Sequence, residues 1–154
     1  MRQLSTDRDL NIFEKLDALS LKAILAAEEE SRRSGHKMLD TEQLLLGVMI
    51  SNPGGKAVQA LENLGLKQQD LRKQISEILG SGKEFVGVER PFTERMNKVL
   101  EHAWQAAQSK GKESIAPEDL LLGICDVYEG VTQRVLTDAQ ISAEKLREEI
   151  GKLN

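Results

Sequence analysis

The sequence predicts an all-α protein of eight helices, arranged as two tandem four-helix repeats with pseudo-twofold symmetry. Three observations support this prediction. The 154 residues are 40% hydrophobic but only 3% aromatic, so the core must be built from Leu, Ile, Val, Ala and Met, a composition that favours helices. Apolar residues recur at steps of three and four, which places them on one helix face. A segment that starts at residue 41 also recurs 76 residues later.

The repeat is clearest where residues 41–47 (TEQLLLG) align with residues 117–123 (PEDLLLG). Extended backwards without a gap, the same alignment places Leu16 on Phe92. Extended forwards with one residue fewer in the second copy, it continues almost to the end of the sequence; the matched pairs are Gly55 and Gly130, Leu61 and Leu136, Leu66 and Ile141, Leu71 and Leu146, and Ile75 and Ile150. Each copy alone is too small to bury its apolar surface well, so the two copies should share one core.

Four segments follow one another along the sequence and are expected to form one compact domain. Residues 1–15 are predicted to be an N-terminal arm or an extra turn, and residues 16–80 the first repeat. Residues 81–91 carry Ser, Gly and Pro and are therefore predicted to be a linker. Residues 92–154 form the second repeat.

Local signals place the helices within each repeat. The first helices should end at Gly35 and Gly111, because glycine suits a C-terminal cap. The second helices should begin where Asp40 with Gln43 resembles a capping box and where Pro117 takes the first helical position. Two shorter helices complete each repeat; the predicted ranges are 55–64 and 68–79, then 130–139 and 142–152.

Composition argues against several classes of function. The net charge is −4 and the basic residues are interspersed with acidic ones, so no nucleic acid is expected as a partner. The longest apolar run, residues 44–50, is far shorter than the roughly 20 residues that span a bilayer. Residues 1–7 lack the apolar stretch of a signal peptide, and the single Cys125 cannot form an internal disulfide. The expected location is the cytoplasm, with the plastid stroma as the alternative if the protein is a trimmed form.

Catalytic and metal sites find little support in the sequence. Every Gly-Lys pair lacks the following Ser or Thr of a phosphate-binding loop, so ATPase activity is not expected. His36, His102 and Cys125 are too scattered for a zinc site, and Cys125 should be a buried, unreactive thiol. No cofactor, no metal ion and no catalytic residue is therefore expected. The charged run at residues 28–33 is interpreted as a solvated helix face with intrahelical ion pairs.

Glu42 and Glu118 occupy the same position in both repeats, two residues into a helix. An acid at this position compensates the helix dipole by about 0.3–1 kcal/mol and needs no ligand. Alternatively, the pair receives guanidinium groups from a peptide while nearby backbone donors take an anion. A third hypothesis is a small enzyme that uses one of the two as an acid or base. That hypothesis requires a pKa raised by burial, whereas the first turn of a helix should lower the pKa.

The motifs in both copies resemble the repeat of the N-terminal domain of Clp-family ATPases, and they are nearer to the ClpC type than to the disaggregase type. In the second repeat the resemblance rests on residues 92–95 (FTER) and 117–123, and in the first on residues 35–36 (GH) and 41–47. It covers residues 16–153. The resemblance implies an all-helical, pseudo-twofold, eight-helix domain that has no catalysis of its own.

In Clp ATPases this domain docks adaptors and receives substrates. The resemblance therefore implies a non-catalytic accessory or adaptor protein of a Clp chaperone-protease. The implied partners are Clp ATPase or protease-core subunits, adaptors and substrate proteins. The alternative is the N-terminal substrate- and adaptor-binding domain of a full-length ClpC-type chaperone. A purely structural helical protein that has lost its Clp association is a further alternative.

The resemblance also implies candidate ligand residues. In some ClpC-type domains each repeat binds phosphoarginine through the acid of the Thr-Glu segment and the Thr of the Phe-Thr-Glu-Arg segment. By motif, the second repeat keeps both, as Glu118 and Thr93. The first repeat keeps Glu42 but has Asp17 in place of the threonine, and a carboxylate there would repel a phosphoryl group. Glu118, Thr93 and Glu42 are therefore the candidate residues for an arginine or phosphoarginine peptide.

Overall fold

The computed structural model describes residues 12–80 and 91–153, and its regular structure over these ranges is helical. Residues 12–15 are helical and precede eight longer helices, which are α1 (Ala18–Arg33), α2 (Thr41–Ser51), α3 (Lys56–Asn63), α4 (Gln68–Leu79), α5 (Glu94–Ser109), α6 (Pro117–Asp126), α7 (Gly130–Asp138) and α8 (Ala143–Leu153). The all-α prediction is confirmed. The predicted linker, apart from its last residue, and most of the predicted arm lie outside the described residues.

The helix starts follow the capping signals of the sequence. The backbone N–H of Asp40 donates to Oε1 of Gln43 at 2.8 Å, which confirms the capping box of α2. Pro117 is the first residue of α6, as predicted. Two further caps belong to the first helix of each repeat: Asp17 accepts from the backbone N–H of Ser20 at 2.8 Å, and Thr93 accepts from that of Met96 at 3.1 Å.

The first two helices of each repeat form a closely packed hairpin. Gly47 of α2 lies so near α1 that an added Cβ would sit 2.3 Å from the carbonyl oxygen of Ala23. The equivalent glycine of α6, Gly123, would place a Cβ 2.4 Å from the carbonyl oxygen of Val99. These helices therefore touch backbone to backbone at a point where only glycine fits. Gly35 and Gly111 turn the backbone after the first helices with φ of 73° and 74°, as predicted for C-terminal caps.

Two isolated parallel β-bridges join the repeats reciprocally. Leu16, before α1, pairs with Ile115, before α6, and Phe92, before α5, pairs with Leu39, before α2. The bridging hydrogen bonds run from Ile115 N to Lys15 O at 2.7 Å, Asp17 N to Ile115 O at 2.9 Å, Leu39 N to Pro91 O at 2.9 Å and Thr93 N to Leu39 O at 3.1 Å. Leu16 and Phe92 are equivalent in the repeat alignment, and so are Leu39 and Ile115. The pairing therefore has the predicted pseudo-twofold symmetry, with each repeat holding the segment that leads into the other.

The repeats share a core built from aliphatic side chains. Across the interface between the repeats, α2 contacts α5, α6 and α7, α3 contacts α6 and α8, and α4 contacts α7. Within this interface the hydroxyl groups of Thr41 and Thr132 form a buried hydrogen bond of 2.8 Å. The leucines of both TEQLLLG-type segments are buried, except Leu122, which is half-buried. Among the described helices, none has the length and apolar character needed to cross a membrane.

Candidate functional site

Glu42 and Glu118 both lie in the first turn of a helix, as predicted, but their surroundings differ. Glu42 is only 3% exposed and sits where α2 faces the second repeat. Glu118 is half-buried at the start of α6. The two carboxyl groups are equivalent in sequence but not in environment, so they cannot be expected to bind the same ligand equally.

The bridge between Leu39 and Phe92 brings the start of α5 against the start of α2. There the hydroxyl of Thr93 donates to Oδ1 of Asp40 at 2.9 Å. Nε of Arg95 donates to both carboxylate oxygens of Asp40, at 2.9 and 3.1 Å. Asp40 therefore caps α2 and also binds two side chains of the second repeat. We call Asp40, Glu42, Thr93 and Arg95 the interrepeat cluster.

In this arrangement Thr93 and Glu118 are not brought together. Thr93 precedes α5, whereas Glu118 begins α6, which follows the far end of α5. The 16 residues of α5 extend about 24 Å. Thr93 therefore lies near Glu42 of the other repeat, and Asp17 lies near the start of α6, where its N–H donates to Ile115.

Arg95 fixes the outer side of the interrepeat cluster. Its Nη1 lies 3.9 Å from Oε1 of Glu129, which precedes α7. Gly130 has a φ of 70°, and a Cβ there would come within 2.7 Å of the guanidinium group. Glycine at this position therefore gives the backbone its left-handed turn and leaves room for Arg95. A groove of about 270 Å³ adjoins the cluster and is lined by Thr93, Glu94, Arg95, Lys98 and Glu129.

The Glu42 carboxyl group has unusual electrostatics for a residue in the first turn of a helix. Its pKa is raised from the ordinary 4.5 to about 7. Burial is the main cause, and the negative charge of the nearby Asp40 carboxylate is the second. Its own backbone N–H and the charge of Arg95 oppose this increase with smaller effects. Oε1 of Glu42 is buried and has no hydrogen-bond partner. The expectation that first-turn placement lowers the pKa is therefore wrong for Glu42, because burial outweighs the helix dipole.

The start of α6 is organised around a different acid, Asp119. This carboxylate is fully buried and accepts from Nζ of Lys110 at 2.9 Å, Nζ of Lys112 at 2.5 Å and the backbone N–H of Ala116 at 2.9 Å. Burial acts to raise the pKa of Asp119, but the three donors outweigh it and the pKa is lowered. Asp119 occupies the position of Gln43 in the first repeat. Sequence reasoning missed this ion-pair cluster, although the Lys110, Lys112 and Asp119 spacing could have suggested it.

Cys125 and His102, which the sequence analysis considered for metal binding or catalysis, have the surroundings of residues that serve the fold. Cys125 is buried, and burial raises the pKa of its thiol to about 12, in agreement with the predicted unreactive cysteine. Nδ1 of His102 lies 3.1 Å from Oδ2 of Asp126. Within residues 12–80 and 91–153, no group of three or more His, Cys, Asp or Glu side chains is placed to hold a metal ion.

Comparison with known proteins adds to this geometry. The pattern of the Clp repeat (R) N-terminal domain matches residues 15–139 and, in a second match, residues 91–153. A Guillardia theta protein named "ATP-dependent Clp protease ATP-binding subunit ClpA homolog" is 39% identical over 92% of the present sequence. The rice "Chaperone protein ClpC2, chloroplastic" (Oryza sativa subsp. japonica) is 38% identical over 93% of it. These alignments cover only 17% and 16% of the two relatives, so the 154 residues correspond to a small part of their length.

Solved structures share the fold. The N-terminal domain of the chaperone ClpD from Arabidopsis thaliana superposes with a TM-score of 0.75 at 23% identity, covering 92% of the present protein and 99% of that domain. A ClpV N-domain solved in complex with a VipB peptide superposes with a TM-score of 0.70 at 20% identity, covering 96% and 91%. Sequence pattern, identity to curated relatives and fold agree, and the chain belongs to the Clp repeat (R) N-terminal domain family.

Proposed function

We propose that this protein is a non-catalytic protein-binding module of a Clp chaperone-protease system, in which the interrepeat cluster receives an arginine-bearing segment of a partner protein. The observation that carries the proposal is the buried Glu42 carboxyl group, whose Oε1 has no hydrogen-bond partner. A buried acceptor left unsatisfied costs about 1–3 kcal/mol. A guanidinium group that pairs with Glu42 recovers this cost.

The charge balance of the site supports a cationic ligand. The carboxylates of Asp40 and Glu129 both approach Arg95, at 2.9 and 3.9 Å. Glu42 adds a third negative charge when it ionises, so the cluster then carries more acid than base. An arginine side chain supplies the missing charge and can donate two parallel hydrogen bonds to a carboxylate.

Asp40 favours unmodified arginine over phosphoarginine at this site. A phosphoryl group would need the hydroxyl of Thr93 as a donor, but this hydroxyl already donates to Asp40. A second negative group beside Asp40 would also be repelled. Glu118 is proposed as the corresponding acceptor of the second repeat, where Asp17 is the equivalent of Thr93.

Calorimetric titration with an arginine-containing peptide tests the ligand assignment. We expect Glu42→Gln to weaken binding about tenfold, because it removes a charged hydrogen-bond acceptor. Binding to the wild type should strengthen as the pH rises through about 7, where Glu42 ionises. The phosphorylated form of the same peptide should bind more weakly.

Glu77→Gln is the control, since it makes the same change at an exposed glutamate of α4 that lies in neither proposed acceptor position. If Glu42→Gln binds the arginine peptide as tightly as the wild type, Glu42 is not the acceptor. If the phosphorylated peptide binds more tightly than the unmodified one, the role given to Asp40 is wrong.

The Clp partnership is tested separately, with purified Clp ATPase and proteolytic-core subunits from the same organism. The partners proposed are these subunits, their adaptors or their substrates, in the cytoplasm or, as the chloroplastic relatives suggest, in the plastid stroma. We expect saturable binding to at least one purified subunit or adaptor in biolayer interferometry. Absence of binding to all of them would contradict the proposal.

Two alternatives share parts of the same evidence. As the N-terminal domain of a ClpC-type chaperone, the protein would use the same contacts, and the gene downstream of Asn154 decides between that and an accessory protein. An enzyme that uses Glu42 as an acid or base would have the raised pKa it requires. Membership of the Clp repeat (R) N-terminal domain family, whose members are non-catalytic protein-binding domains, supports binding over catalysis.

A further inference from the structure

A second cavity lies in the first repeat, on residues that the arginine-binding proposal does not use. It has a volume of about 310 Å³ and is enclosed by α1, α2, α4 and the loop after α1. Leu46 and Ile75 contribute apolar surface to its wall. Arg33, Arg72 and His36 contribute the basic groups. We call these five residues and Glu30 the arginine pocket.

Glu30 holds the two arginines in place. It is only 8% exposed, although the sequence predicts that residues 28–33 form a solvated face. Nη1 of Arg33 and Nη2 of Arg72 both donate to Oε2 of Glu30, each at 3.1 Å. The interpretation of this run as wholly solvated is therefore wrong at Glu30, because Arg72 of α4 reaches across to it. The predicted intrahelical ion pairs are present, between Arg32 and Glu29 and between Arg33 and Glu30.

The pocket retains positive charge and hydrogen-bond donors. One carboxylate cannot neutralise two guanidinium groups, so a net charge of about +1 remains around Glu30. Each guanidinium has five N–H donors, and the contact with Glu30 uses one from each arginine. Both arginine side chains stay substantially exposed, at 61% and 47%, so their remaining donors are available to a ligand.

At the equivalent place in the second repeat, a buried carboxylate, that of Asp119, pairs with the basic side chains. There Lys112, the equivalent of His36, and Lys110 both bind the buried Asp119. The first repeat has the neutral Gln43 at the position of Asp119, and Gln43 lines the arginine pocket. His36 therefore faces the neutral amide of Gln43, whose Nε2 lies 3.4 Å from its Nδ1, whereas its counterpart Lys112 binds a carboxylate.

We propose that the arginine pocket binds a carboxylate-bearing segment of a partner protein, with the carboxylate on Arg33 and Arg72 and an adjoining apolar side chain on Leu46 and Ile75. The carboxylate can come from the C-terminus of a polypeptide or from an Asp or Glu side chain, because both present the same planar group to a guanidinium fork. The pocket is distinct from the interrepeat cluster and has the opposite ligand charge, so this inference does not depend on the arginine-binding proposal.

The probes are three short peptides that have the same apolar residues. The first ends in Leu with a free carboxylate, the second is its C-terminal amide, and the third is an amide with an internal Glu beside the Leu. Binding is followed by calorimetry and by amide chemical shifts of the ¹⁵N-labelled protein. We expect shifts centred on Ser34, Gln43 and Ser76, which line the pocket. The amide lacking Glu should bind about tenfold more weakly than a carboxylate peptide.

Arg33→Gln and Arg72→Gln should each weaken the carboxylate peptides about tenfold, without changing the binding of an arginine peptide. Arg147→Gln is the matched control, because Arg147 is the counterpart of Arg72 in the second repeat and binds Asp126 at 2.7 Å. The stronger of the first and third peptides identifies the source of the carboxylate. Equal binding of all three peptides, shifts outside the pocket, or an equal loss in Arg147→Gln would overturn the proposal. If a variant folds poorly, the amide chemical-shift changes of the wild-type protein still show whether the peptides bind at the arginine pocket.

Discussion

At the scale of single residues, sequence position alone does not determine chemistry. Glu42 and Glu118 occupy equivalent positions in the two repeats, but only Glu42 is buried against the other repeat. Burial depends on which elements meet in three dimensions, and an alignment of the two repeats does not contain that information. The candidate residue Glu42 could be predicted from the sequence, whereas its pKa of about 7 could not.

The pH dependence of stability tests the environment of Glu42. Its pKa is raised from 4.5 to about 7, so between these values the folded protein binds more protons at this carboxyl than the unfolded protein does. The free energy of unfolding should therefore fall as the pH rises through this window, by about 3 kcal/mol from this group, and level off above it. Urea denaturation of the wild type and of Glu42→Gln at pH 5 and pH 8 measures the effect.

We expect Glu42→Gln to lose this contribution, so that its stability relative to the wild type improves at the higher pH. The comparison of two proteins removes the contributions of groups they share. Glu118→Gln provides the control for the same substitution in the second repeat. Parallel stability profiles of Glu42→Gln and the wild type would show that Glu42 is ionised in the folded protein across the whole range.

At the scale of the helices, local signals are sufficient to predict most starts and ends. The capping box of α2, Pro117 of α6 and the glycines after α1 and α5 all lie where predicted, because each signal acts within one turn of the helix. The predicted ranges of the shorter helices agree with the structure within one residue at each end, and the range of α4 is exact. The charged run in α1 is harder to interpret, since one partner of Glu30 is 42 residues away on α4.

The close contact within each helical hairpin predicts a symmetric response to mutation. Gly47→Ala and Gly123→Ala would each place a Cβ very near a backbone oxygen on the neighbouring helix, at 2.3 and 2.4 Å. We expect each change to lower the free energy of unfolding by about 1–3 kcal/mol, because the helices must move apart. Chemical denaturation measures the change.

Gly151→Ala is the control, because no heavy atom lies within 4 Å of a Cβ added at this position of α8. Alanine is the better helix former, so this change should raise stability by about 0.5–1 kcal/mol. Equal effects of the three substitutions would mean that the hairpin contacts are not close.

At the scale of the whole molecule, the duplication is predictable from the sequence but the exchange between the repeats is not. The alignment identifies equivalent residues and leaves open which repeat each residue contacts. Motif matching therefore groups Thr93 with Glu118, whereas the Thr93 hydroxyl binds Asp40 of the first repeat. The shared core follows from size alone, since half of the protein has too little apolar surface to be stable by itself.

The two repeats should therefore fold as one unit. Residues 12–80 and 91–153, produced as separate polypeptides, would each lack the bridge partners of Leu16 or Leu39 and the other half of the core. We expect each half alone to show little cooperative thermal unfolding by circular dichroism, and an equimolar mixture to recover helical signal. A sigmoidal melt for either half alone would contradict this expectation.

The reciprocal bridges have a consequence for the history of the fold. Leu16 of the first repeat pairs with Ile115 of the second, and the equivalent residues, Phe92 of the second repeat and Leu39 of the first, pair in the same way. An isologous homodimer has self-complementary contacts of this kind. A half-length ancestor could thus have assembled this shape from two identical polypeptides before gene fusion joined them. In a fused polypeptide the two halves need not stay identical, and at matching corners this molecule carries Gln43 in one half and Asp119 in the other.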